Sequence, residues 1–319
     1  MTSSELMRSR WRGQRGRLEV WYTTLTDPAS GAGVWLHHEL VAPTGREAPY
    51  AHGWAALFPP FGAPVMARFG PSPWATPPAD AVFTADGVSL TPDRLTGKVD
   101  GASWTLTATG GGEPLYTFPS WAWRREMLPA AQIVPAPAAT FSGIVHIGDI
   151  VLPLTDAPGA TARIYGHGNA RRWGWLHADL GGGDLLEIVA AVSMRLGLRR
   201  LPPLPFVKLR LDGVDWPAGD PLSAARSFKA TLPAAVGGNL QWTVTGRSAG
   251  RRLTVEVDQP ANRTLAVDYR DPDGAPAVCH NTERANAVVT LERAQGRAWT
   301  VERRWELPGT AHSEIGLRP

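Results

Sequence analysis

Cysteine, lysine and long apolar segments are almost missing from this chain of 319 residues. The single cysteine, Cys279, excludes an internal disulfide and a cysteine-based zinc site, and it is more typical of a small buried residue than of a nucleophile. No run reaches the roughly 18 apolar residues that a membrane span requires, and the N-terminus lacks the apolar segment of a secretory signal. We therefore expect a soluble protein of the cytoplasm.

Lysine is largely replaced by arginine, because only Lys98, Lys208 and Lys229 stand among 32 basic residues, which 29 acidic residues nearly balance. No long basic stripe interleaved with aromatic residues occurs, so we expect no nucleic-acid partner. We interpret residues 1–13 as a solvated basic tail. The arginines at the start of the chain are Arg8, Arg10, Arg12, Arg15 and Arg17.

Motifs of several enzyme classes are also missing. The sequence has no P-loop, no G-x-G-x-x-G that opens a helix, no H-E-x-x-H and no G-x-S-x-G. The sequence therefore gives no motif-based support for nucleotide hydrolysis, nicotinamide chemistry, zincin proteolysis or α/β-hydrolase chemistry. We expect no bound metal and no cofactor, because no two histidines have the i, i+4 spacing of a helical metal site. The scattered histidines are His52, His146, His167, His280 and His312.

Tryptophan is abundant, with fourteen residues, most of them in short segments of period-two character such as LEVWYTTLTD, GVWLHHELV and LQWTVTG. Such alternation is typical of strands with one face on an apolar interior. Turn sequences rich in glycine and proline separate the segments, as in antiparallel sandwiches and barrels. The sequence therefore predicts an all-β protein with little helix. The indoles either fill cores or line a hollow that accepts an apolar ligand.

A linker-like stretch, PLTDAPGATA at residues 153–162, divides the chain into halves of similar length. Since a sheet protein of this length usually forms two domains, we predict one domain over residues 14–154 and a second over residues 160–319. In the second half, GGGD predicts a hairpin turn followed by a strand up to Arg195, and residues 221–232 predict one short helix. We interpret the proline-rich segments at residues 71–78 and 127–139 as surface loops.

Two predicted strands combine indole, imidazole and carboxylate groups on one face. Such a face is either the wet outside of a sheet or the wall of a pocket. In a pocket, desolvation would raise the pKa of the carboxyl group, which would then stay protonated near neutral pH and could donate a proton. The two faces comprise Trp35, His37 and Glu39 in GVWLHHEL, and Trp173, Trp175, His177 and Asp179 in RRWGWLHADL.

Three segments carry a resemblance to a known family. Glu19, Trp21 and Tyr22 in LEVWYTTLTD resemble the E-W-W-Y opening strand of the family that contains hydroxyneurosporene synthase (carotenoid 1,2-hydratase) and the AttH proteins, although Val20 departs from that pattern. YGHGNARRWGWLHADLGGGD and the closing CHNTERANAVV and WELPGTAHSEIG resemble later segments of the same family, except that Asn169 stands where tryptophan is usual. Tocopherol cyclase and the fungal Diels-Alderases have similar lipocalin-like pairs of domains.

The resemblance implies two lipocalin-like antiparallel β-barrel or sandwich domains packed together, which hold a hydrophobic ligand. It further implies isoprenoid or polyketide substrates, hydrated or cyclised by protonation of a double bond without a redox cofactor. We expect Asp179 or Glu39 to be the acid, with His177 and His37 as further catalytic candidates. The expected ligand-binding residues are Glu19, Trp21, Tyr22, Trp35, Trp54, His167, Trp173, Trp175, Glu283 and Glu314.

Three functions are compatible with these observations. The first is an enzyme that hydrates or cyclises an unsaturated, lipid-like molecule by acid catalysis. The second is a carrier or sensor of such a molecule, which needs the apolar lining but no buried acid. The third is a carbohydrate-active sandwich, which predicts exposed indoles that stack on sugars.

Overall fold

The computed structural model describes residues 2–78, 80–126, 128–194, 200–234 and 237–318. These residues form two compact units. Unit 1 comprises Met1–Tyr116, Ser120–Asn169 and Arg270–Pro276, and unit 2 comprises Thr117–Pro119, Ala170–Tyr269 and Ala277–Pro319. Each unit is built on one large antiparallel sheet, so the predicted all-β, lipocalin-like fold class with little helix is confirmed.

The sheet of unit 1 has ten strands in the order β4-β3-β2-β1-β10-β9-β8-β7-β6-β5. Strands adjacent in the chain pair with each other, except for the two edge strands β4 and β5, and β10 also pairs with β1. Unit 1 also contains the short helices α1 (Ser3–Met7) and α2 (Ser120–Arg125). Its strands are β1 (Arg17–Thr26), β2 (Gly33–Ala42), β3 (Tyr50–Phe58), β4 (Val65–Pro73), β5 (Phe83–Ala85), β6 (Val88–Leu90), β7 (Arg94–Val99), β8 (Ala102–Gly111), β9 (Ala130–Ile147) and β10 (Ile150–Gly166).

Aromatic side chains fill the interior of this sheet. Phe69 of β4 contacts Phe83 of β5 with 6.2 Å between ring centres, so the two edge strands meet and the sheet is barrel-like. Trp21 lies 5.9 Å from Phe83, and Trp104 lies 6.3 Å from Phe69. All four rings belong to one buried apolar cluster, and burial of rings of this size contributes strongly to folding. The expected hollow lined by indoles is therefore wrong for Trp21, which is part of a packed core.

The sheet of unit 2 follows the order β14-β13-β12-β11-β20-β19-β17-β16-β15, and β18 pairs with β19. Its edge strands meet through Trp216 and Phe228, whose ring centres are 5.7 Å apart. These rings, with Trp242 and Leu176, belong to a second apolar core. The strands are β11 (Arg172–Gly181), β12 (Asp184–Val192), β13 (Leu204–Leu211), β14 (Val214–Trp216), β15 (Phe228–Thr231), β16 (Leu240–Ser248), β17 (Arg251–Gln259), β18 (Leu265–Arg270), β19 (Pro276–Gln295) and β20 (Ala298–Leu317).

The predicted linker is wrong, because residues 153–162 lie inside β10 and pair with both β9 and β1. The pairing with β9 shifts register between Leu154 and Ala157 and again beyond Gly159, so the turn-forming residues lie at β-bulges rather than in a loop. The predicted domain limits at residues 154 and 160 are wrong as well, since the first change of unit within this region follows Asn169. Met1, the first residue of the predicted tail, and Pro319, the last residue of the second predicted domain, lie outside the described residues.

Other local predictions have mixed outcomes. The strand after GGGD is confirmed as β12, which ends at Val192, and Arg195 lies outside the described residues. The helix predicted at residues 221–232 is only α3 (Pro221–Ala225), and the residues that follow form β15. The predicted loop at residues 127–139 is wrong from Ala130 onward, where β9 begins, and Met127 lies outside the described residues.

The first residues dock onto unit 1, so the predicted solvated tail is wrong. Thr2 caps α1 by accepting a hydrogen bond from the Glu5 amide, and the helix buries Leu6 and Met7. The Arg163 guanidinium donates to the carbonyl oxygens of Leu6 and Arg8. None of the helices in the described part of the chain is long and apolar enough to span a membrane.

Candidate functional site

A β-bulge between β3 and β4 opens a cleft in unit 1. Ala51 pairs with Ser72 and Gly53 pairs with Phe69, which leaves His52 opposite both Gly70 and Pro71. Gly70 has a φ of +74°, and a Cβ at this position would lie 2.5 Å from the Ala51 carbonyl oxygen. Glycine is required there, because other residues are destabilised in the left-handed conformation and their Cβ would clash with β3. Bulges of this kind often re-aim side chains beside functional sites.

The cleft has a volume of about 440 Å³, which lies within the range of small-molecule sites. Most of its surface is apolar, and its polar groups come from Tyr50, His52, Ser72 and Arg270. No tryptophan lines it, so the expected indole lining is wrong for this cavity. Among the described residues, the cleft is lined by Ala48, Pro49, Tyr50, His52, Pro71, Ser72, Pro73 and Arg270.

Glu39 lies directly behind the wall of this cleft. It pairs with His52 across β2 and β3, and His52 Nε2 is 3.5 Å from Glu39 Oε2. His37 Nε2 lies 3.2 Å from the same oxygen. The His37 ring stacks on Trp54 with 3.9 Å between ring centres and an interplanar angle of 5°. The Glu39 side chain is 2% exposed and that of His52 is 20% exposed, so only His52 of this pair reaches the cleft.

Burial determines the proton affinities of these groups. It raises the pKa of Glu39 to about 7, an increase that the nearby His52 opposes and Asp271 reinforces. The pKa of His52 is lowered by burial, against the opposing effect of Glu39. Burial also lowers the pKa of His37 well below its usual value, so His37 is neutral at physiological pH. Near pH 7, Glu39 therefore exchanges a proton beside a neutral His52, an arrangement suited to general acid-base chemistry.

The sequence placed Trp35, His37 and Glu39 on one face, and the structure has this arrangement. Trp35 packs edge-on against both His37 and Trp54. His38, on the opposite face, lies among core rings, where burial lowers its pKa to about 3. These histidines therefore differ in environment although they are adjacent in the chain.

Unit 2 contains a second buried polar group, which we call the His177 cluster: Trp175, His177, Glu187, Glu283 and His312. Glu187 accepts hydrogen bonds from Trp175 Nε1 at 2.6 Å and contacts His177 Nδ1 at 2.9 Å. His312 Nδ1 lies 2.5 Å from Glu283 Oε2, and its ring stacks on that of His177 at 6.0 Å. Burial raises the pKa of Glu283 well above its usual value and lowers that of His312 to about 3.

Glu314 lies on the same face of unit 2. Its carboxylate accepts hydrogen bonds of 3.4 Å from Trp173 Nε1 and from Asn281 Nδ2. Burial raises the pKa of Glu314 to about 7, and burial likewise raises that of Cys279 well above its usual value. Cys279 is therefore a buried thiol, in keeping with the sequence analysis.

Asp179 differs from its expected environment. It lies exposed at the end of β11, where its Oδ1 accepts a hydrogen bond of 2.8 Å from the Gly181 amide. The expected desolvation of this carboxyl group is therefore wrong, because β11 ends only two residues later, at Gly181. The carboxylate beside His177 comes instead from Glu187 on the neighbouring strand.

Several expected ligand-binding residues hold unit 1 together. Glu19 is fully buried, ion-paired with Arg163, and accepts hydrogen bonds from Ser9 Oγ at 2.6 Å and the Arg10 amide at 2.7 Å. Trp21 Nε1 donates to the Met7 carbonyl at 2.8 Å. Because these groups are occupied by the docked N-terminal segment, no surface of Glu19 or Trp21 faces the cleft.

Two further candidates also lie away from the cleft. Tyr22 is buried, and its hydroxyl accepts a hydrogen bond of 2.8 Å from Gln132. His167 is exposed, and its Nδ1 lies 2.9 Å from Arg17 in a crevice of only about 10 Å³. Such a space holds about one water molecule and no larger ligand.

Sequence reasoning missed the residues that complete each cluster. His52 was recognised only as one of several scattered histidines, and Arg270 and Glu187 were not assigned to a site. The one signal in the sequence is that His52 and Glu187 are polar residues within otherwise apolar strands, and a single sequence does not reveal which residue lies opposite each of them. In the described ranges, no group of three or more His, Cys, Asp and Glu side chains is placed to hold a metal ion.

Comparisons with known proteins agree with this architecture. The chain is 49% identical to the uncharacterized protein Rv0493c of Mycobacterium tuberculosis (strain H37Rv) over 309 residues, which cover 97% of this chain and 89% of the relative. Among solved structures, CghA with Sch210972 is similar with a TM-score of 0.63 at 14% identity, over 95% of this chain and 88% of CghA.

Two further structures share the fold. A protein described as AttH from Nitrosomonas europaea has a TM-score of 0.55 at 15% identity, over 94% of this chain and 92% of its own. Kievitone hydratase from Nectria haematococca has a TM-score of 0.54 at 11% identity, over 97% of this chain and 91% of the hydratase chain. The model of the family described as tocopherol cyclase-like matches residues 81–317. The resemblance inferred from the sequence is confirmed, and the chain belongs to the tocopherol cyclase-like family.

Proposed function

We propose that the protein binds a hydrophobic, isoprenoid- or polyketide-like small molecule in the cleft of unit 1 and hydrates or cyclises it by acid catalysis. The observation that carries this proposal is the contact between Glu39, a buried carboxyl group with a pKa of about 7, and His52, which lines the cleft. A carboxylic acid and an imidazole in contact can move a proton from the interior to a bound molecule.

In the proposed reaction, the proton reaches the double bond through His52. The Nδ1 proton of neutral His52 passes to one carbon of a double bond, while His52 Nε2 takes the Glu39 proton. The products are a carbocation and the Glu39 carboxylate, whose charge stabilises the cation. Water, or a hydroxyl group of the substrate, then forms a bond to the cationic carbon. The proton that it loses returns to Nδ1, and the Nε2 proton returns to Glu39.

Two neighbours support these roles. His37 is neutral and fixed by its stacking on Trp54, so it holds the Glu39 carboxyl group in position as a positioning residue. Tyr50 lines the cleft, and its ring centre lies 5.6 Å from that of His52. An aromatic face at this place stabilises a nearby cation by about 0.5 to 2 kcal/mol.

Family membership is consistent with this chemistry, since the family is described as tocopherol cyclase-like and one structural neighbour is called a hydratase. A carrier or sensor remains the alternative function. It needs an apolar cleft but no acid within reach of it, and the contact between Glu39 and His52 therefore favours the enzyme.

The test uses 2-prenylphenol as probe, because it carries both a trisubstituted double bond and a hydroxyl group. In D₂O, hydration adds one water and cyclisation leaves the formula unchanged, and each places one deuterium on carbon. We expect the wild type to form a deuterated product, detected by mass spectrometry. Glu39→Gln and His52→Asn should each lower the rate at least about 100-fold, in line with the usual contribution of general acid catalysis, with affinity for the probe kept within a few-fold.

Glu314→Gln is the matched control, since Glu314 also has a pKa raised to about 7 but does not line the cleft. It should convert the probe at the wild-type rate. Binding of the probe without conversion by the wild type would favour the carrier, and unchanged rates in Glu39→Gln and His52→Asn would contradict the assigned acid. Absence of both binding and conversion would contradict the proposed cleft.

A further inference from the structure

We propose that the molecule bound in this cleft carries an anionic group, a carboxylate or enolate, and that Arg270 binds that group. This inference rests on the proposed function only in placing a small molecule in the cleft. It specifies the class of ligand as an apolar body with one acidic end.

Arg270 is exposed, lies at the end of β18 and lines the cleft within unit 1. Within the described ranges, no ion pair or hydrogen bond occupies its guanidinium group. Several arginines elsewhere in the protein have carboxylate partners: Arg210 contacts Asp215, Arg251 and Arg293 share Glu302, and Arg252 contacts Glu292. Arg270 is thus a cation in a cavity with its planar fork available for a ligand.

The nearest candidate partner in sequence is already engaged. Asp271 is buried, and its Oδ1 accepts hydrogen bonds from the Asn169 backbone at 3.0 Å and side chain at 2.8 Å. Glu39 is buried behind His52 and holds a proton about half of the time near pH 7. Neither carboxyl group therefore neutralises Arg270.

A second cation reinforces the positive character of the cleft. Arg68 of β4 is exposed, and its guanidinium lies over the Trp54 ring at 5.4 Å. Its charge lowers the pKa of both His37 and His52, so its field reaches the group that lines the cleft. Positive charge from two arginines favours entry of an anion and opposes entry of a cationic ligand.

The remaining wall determines the rest of the ligand. Ala48, Pro49, Pro71 and Pro73 supply apolar surface, and the prolines restrict its movement. An anion held by Arg270 also offsets the guanidinium charge, which would otherwise oppose formation of a carbocation beside His52. Arginine suits this role because its fork matches a carboxylate in bidentate geometry.

The test compares geranic acid with geraniol, which share a carbon skeleton and differ in the terminal carboxylate, and adds geranylamine as the cationic analogue. Affinities are measured by isothermal titration calorimetry at pH 8. We expect geranic acid to bind about tenfold more tightly than geraniol, from one charge-assisted contact, and geranylamine to bind most weakly. The preference for the acid should decrease as salt increases.

Arg270→Gln should remove the preference for the acid, and Arg270→Lys should keep part of it because the charge remains without the fork. Arg247→Gln is the matched control, since Arg247 is an exposed arginine like Arg270 but belongs to unit 2 and does not line the cleft. It should leave the preference unchanged.

Equal affinities for geranic acid and geraniol in a wild type that still converts 2-prenylphenol would overturn the inference and leave the proposed function standing. A preference for the acid that survives in Arg270→Gln would overturn the assignment to Arg270. Failure of every probe to bind, together with no conversion of 2-prenylphenol, would instead contradict the proposed function itself.

Discussion

The two units share a strand order but carry different polar residues on the corresponding strands. The order β3-β2-β1-β10-β9 in unit 1 corresponds to β13-β12-β11-β20-β19 in unit 2. Tyr22 of β1 lies opposite His37 of β2, and on the corresponding strands of unit 2 His177 of β11 lies opposite Glu187 of β12. The corresponding strand pairs thus contain a histidine opposite a tyrosine in unit 1 and a carboxylate opposite a histidine in unit 2.

The third strands differ as well. Trp54 of β3 lies opposite His37 and stacks on its ring, whereas Lys208 of β13 lies opposite Glu187. Burial lowers the pKa of Lys208. In unit 1 the aromatic stack leaves the Glu39 carboxyl group in contact with His52, which reaches the cleft. In unit 2, the members of the His177 cluster contact each other. A buried carboxyl group is a candidate catalytic acid where one of the residues in contact with it lines a cavity. The neighbouring strands determine whether such a residue is present.

The largest difference between the units should concern how β1 and β11 are anchored. Arg163 of β10 lies opposite Trp21 in unit 1, and Ser313 of β20 lies opposite Leu176 in unit 2. Arg163→Met should lower the free energy of unfolding by about 3 to 5 kcal/mol, because Glu19 would remain buried without its charged partner. Ser313→Ala removes neutral hydrogen bonds to the Trp175 carbonyl and from Trp242, and should cost about 1 to 2 kcal/mol. Urea unfolding followed by tryptophan fluorescence measures both, and equal losses would contradict the distinction.

The second prediction concerns pH and the two raised carboxyl groups. The pKa of Glu39 and that of Glu314 are each raised from 4.5 to about 7 in the folded protein. Below pH 4.5 both states hold the proton, whereas between pH 4.5 and 7 the unfolded chain releases it first. The stability contributed by the protonated carboxyl group is therefore lost as the pH rises through 7.

Glutamine does not titrate, so Glu39→Gln should gain stability relative to the wild type between pH 4.5 and 8, by up to about 3 kcal/mol. Glu314→Gln should show the same sign and a similar size, because the pKa of Glu314 is raised to about the same value. Urea unfolding at pH 4.5, 6 and 8 gives the difference between each variant and the wild type. A difference that does not change with pH would show that the carboxyl group concerned titrates normally.

The bulge beside His52 provides the third test, since β13 and β14, the counterparts of β3 and β4, pair without a register shift. Gly70→Ala should cost about 2 to 3 kcal/mol, from the left-handed backbone and the contact with the Ala51 carbonyl, and should weaken binding of 2-prenylphenol. Gly62→Ala is the control: its φ is +91°, and a Cβ there meets nothing within 4 Å. It should cost about 1 to 2 kcal/mol without affecting binding. If Gly70→Ala and Gly62→Ala changed the affinity for 2-prenylphenol equally, the bulge at Gly70 would not shape the binding site.

Sequence patterns predicted the strands well because alternation follows directly from the pleat of a half-buried sheet. They predicted Trp35, His37 and Glu39 on one face for the same reason. The bulges were hidden, since Gly159 and Pro158 inside β10 have the composition of a turn, and a linker was inferred where a strand continues. His52 was not assigned because its role depends on its pairing with Glu39 across β2 and β3, and single-strand periodicity carries no information about register.

The smallest expected effect is that of Asp179→Asn, which distinguishes Asp179 from Glu39, the two carboxyl groups predicted from the sequence as candidates for the acid. Asp179→Asn should leave the conversion of 2-prenylphenol within about twofold of the wild type and stability within about 0.5 kcal/mol, because the exposed side chain only caps the hairpin turn and asparagine can accept the same hydrogen bond. Glu39→Gln, assayed in parallel, removes the proton that His52 would transfer from Glu39 to a molecule in the cleft. If Asp179→Asn abolished conversion while Glu39→Gln did not, the reacting molecule would have to lie at the end of β11, and unit 2 rather than unit 1 would carry the chemistry.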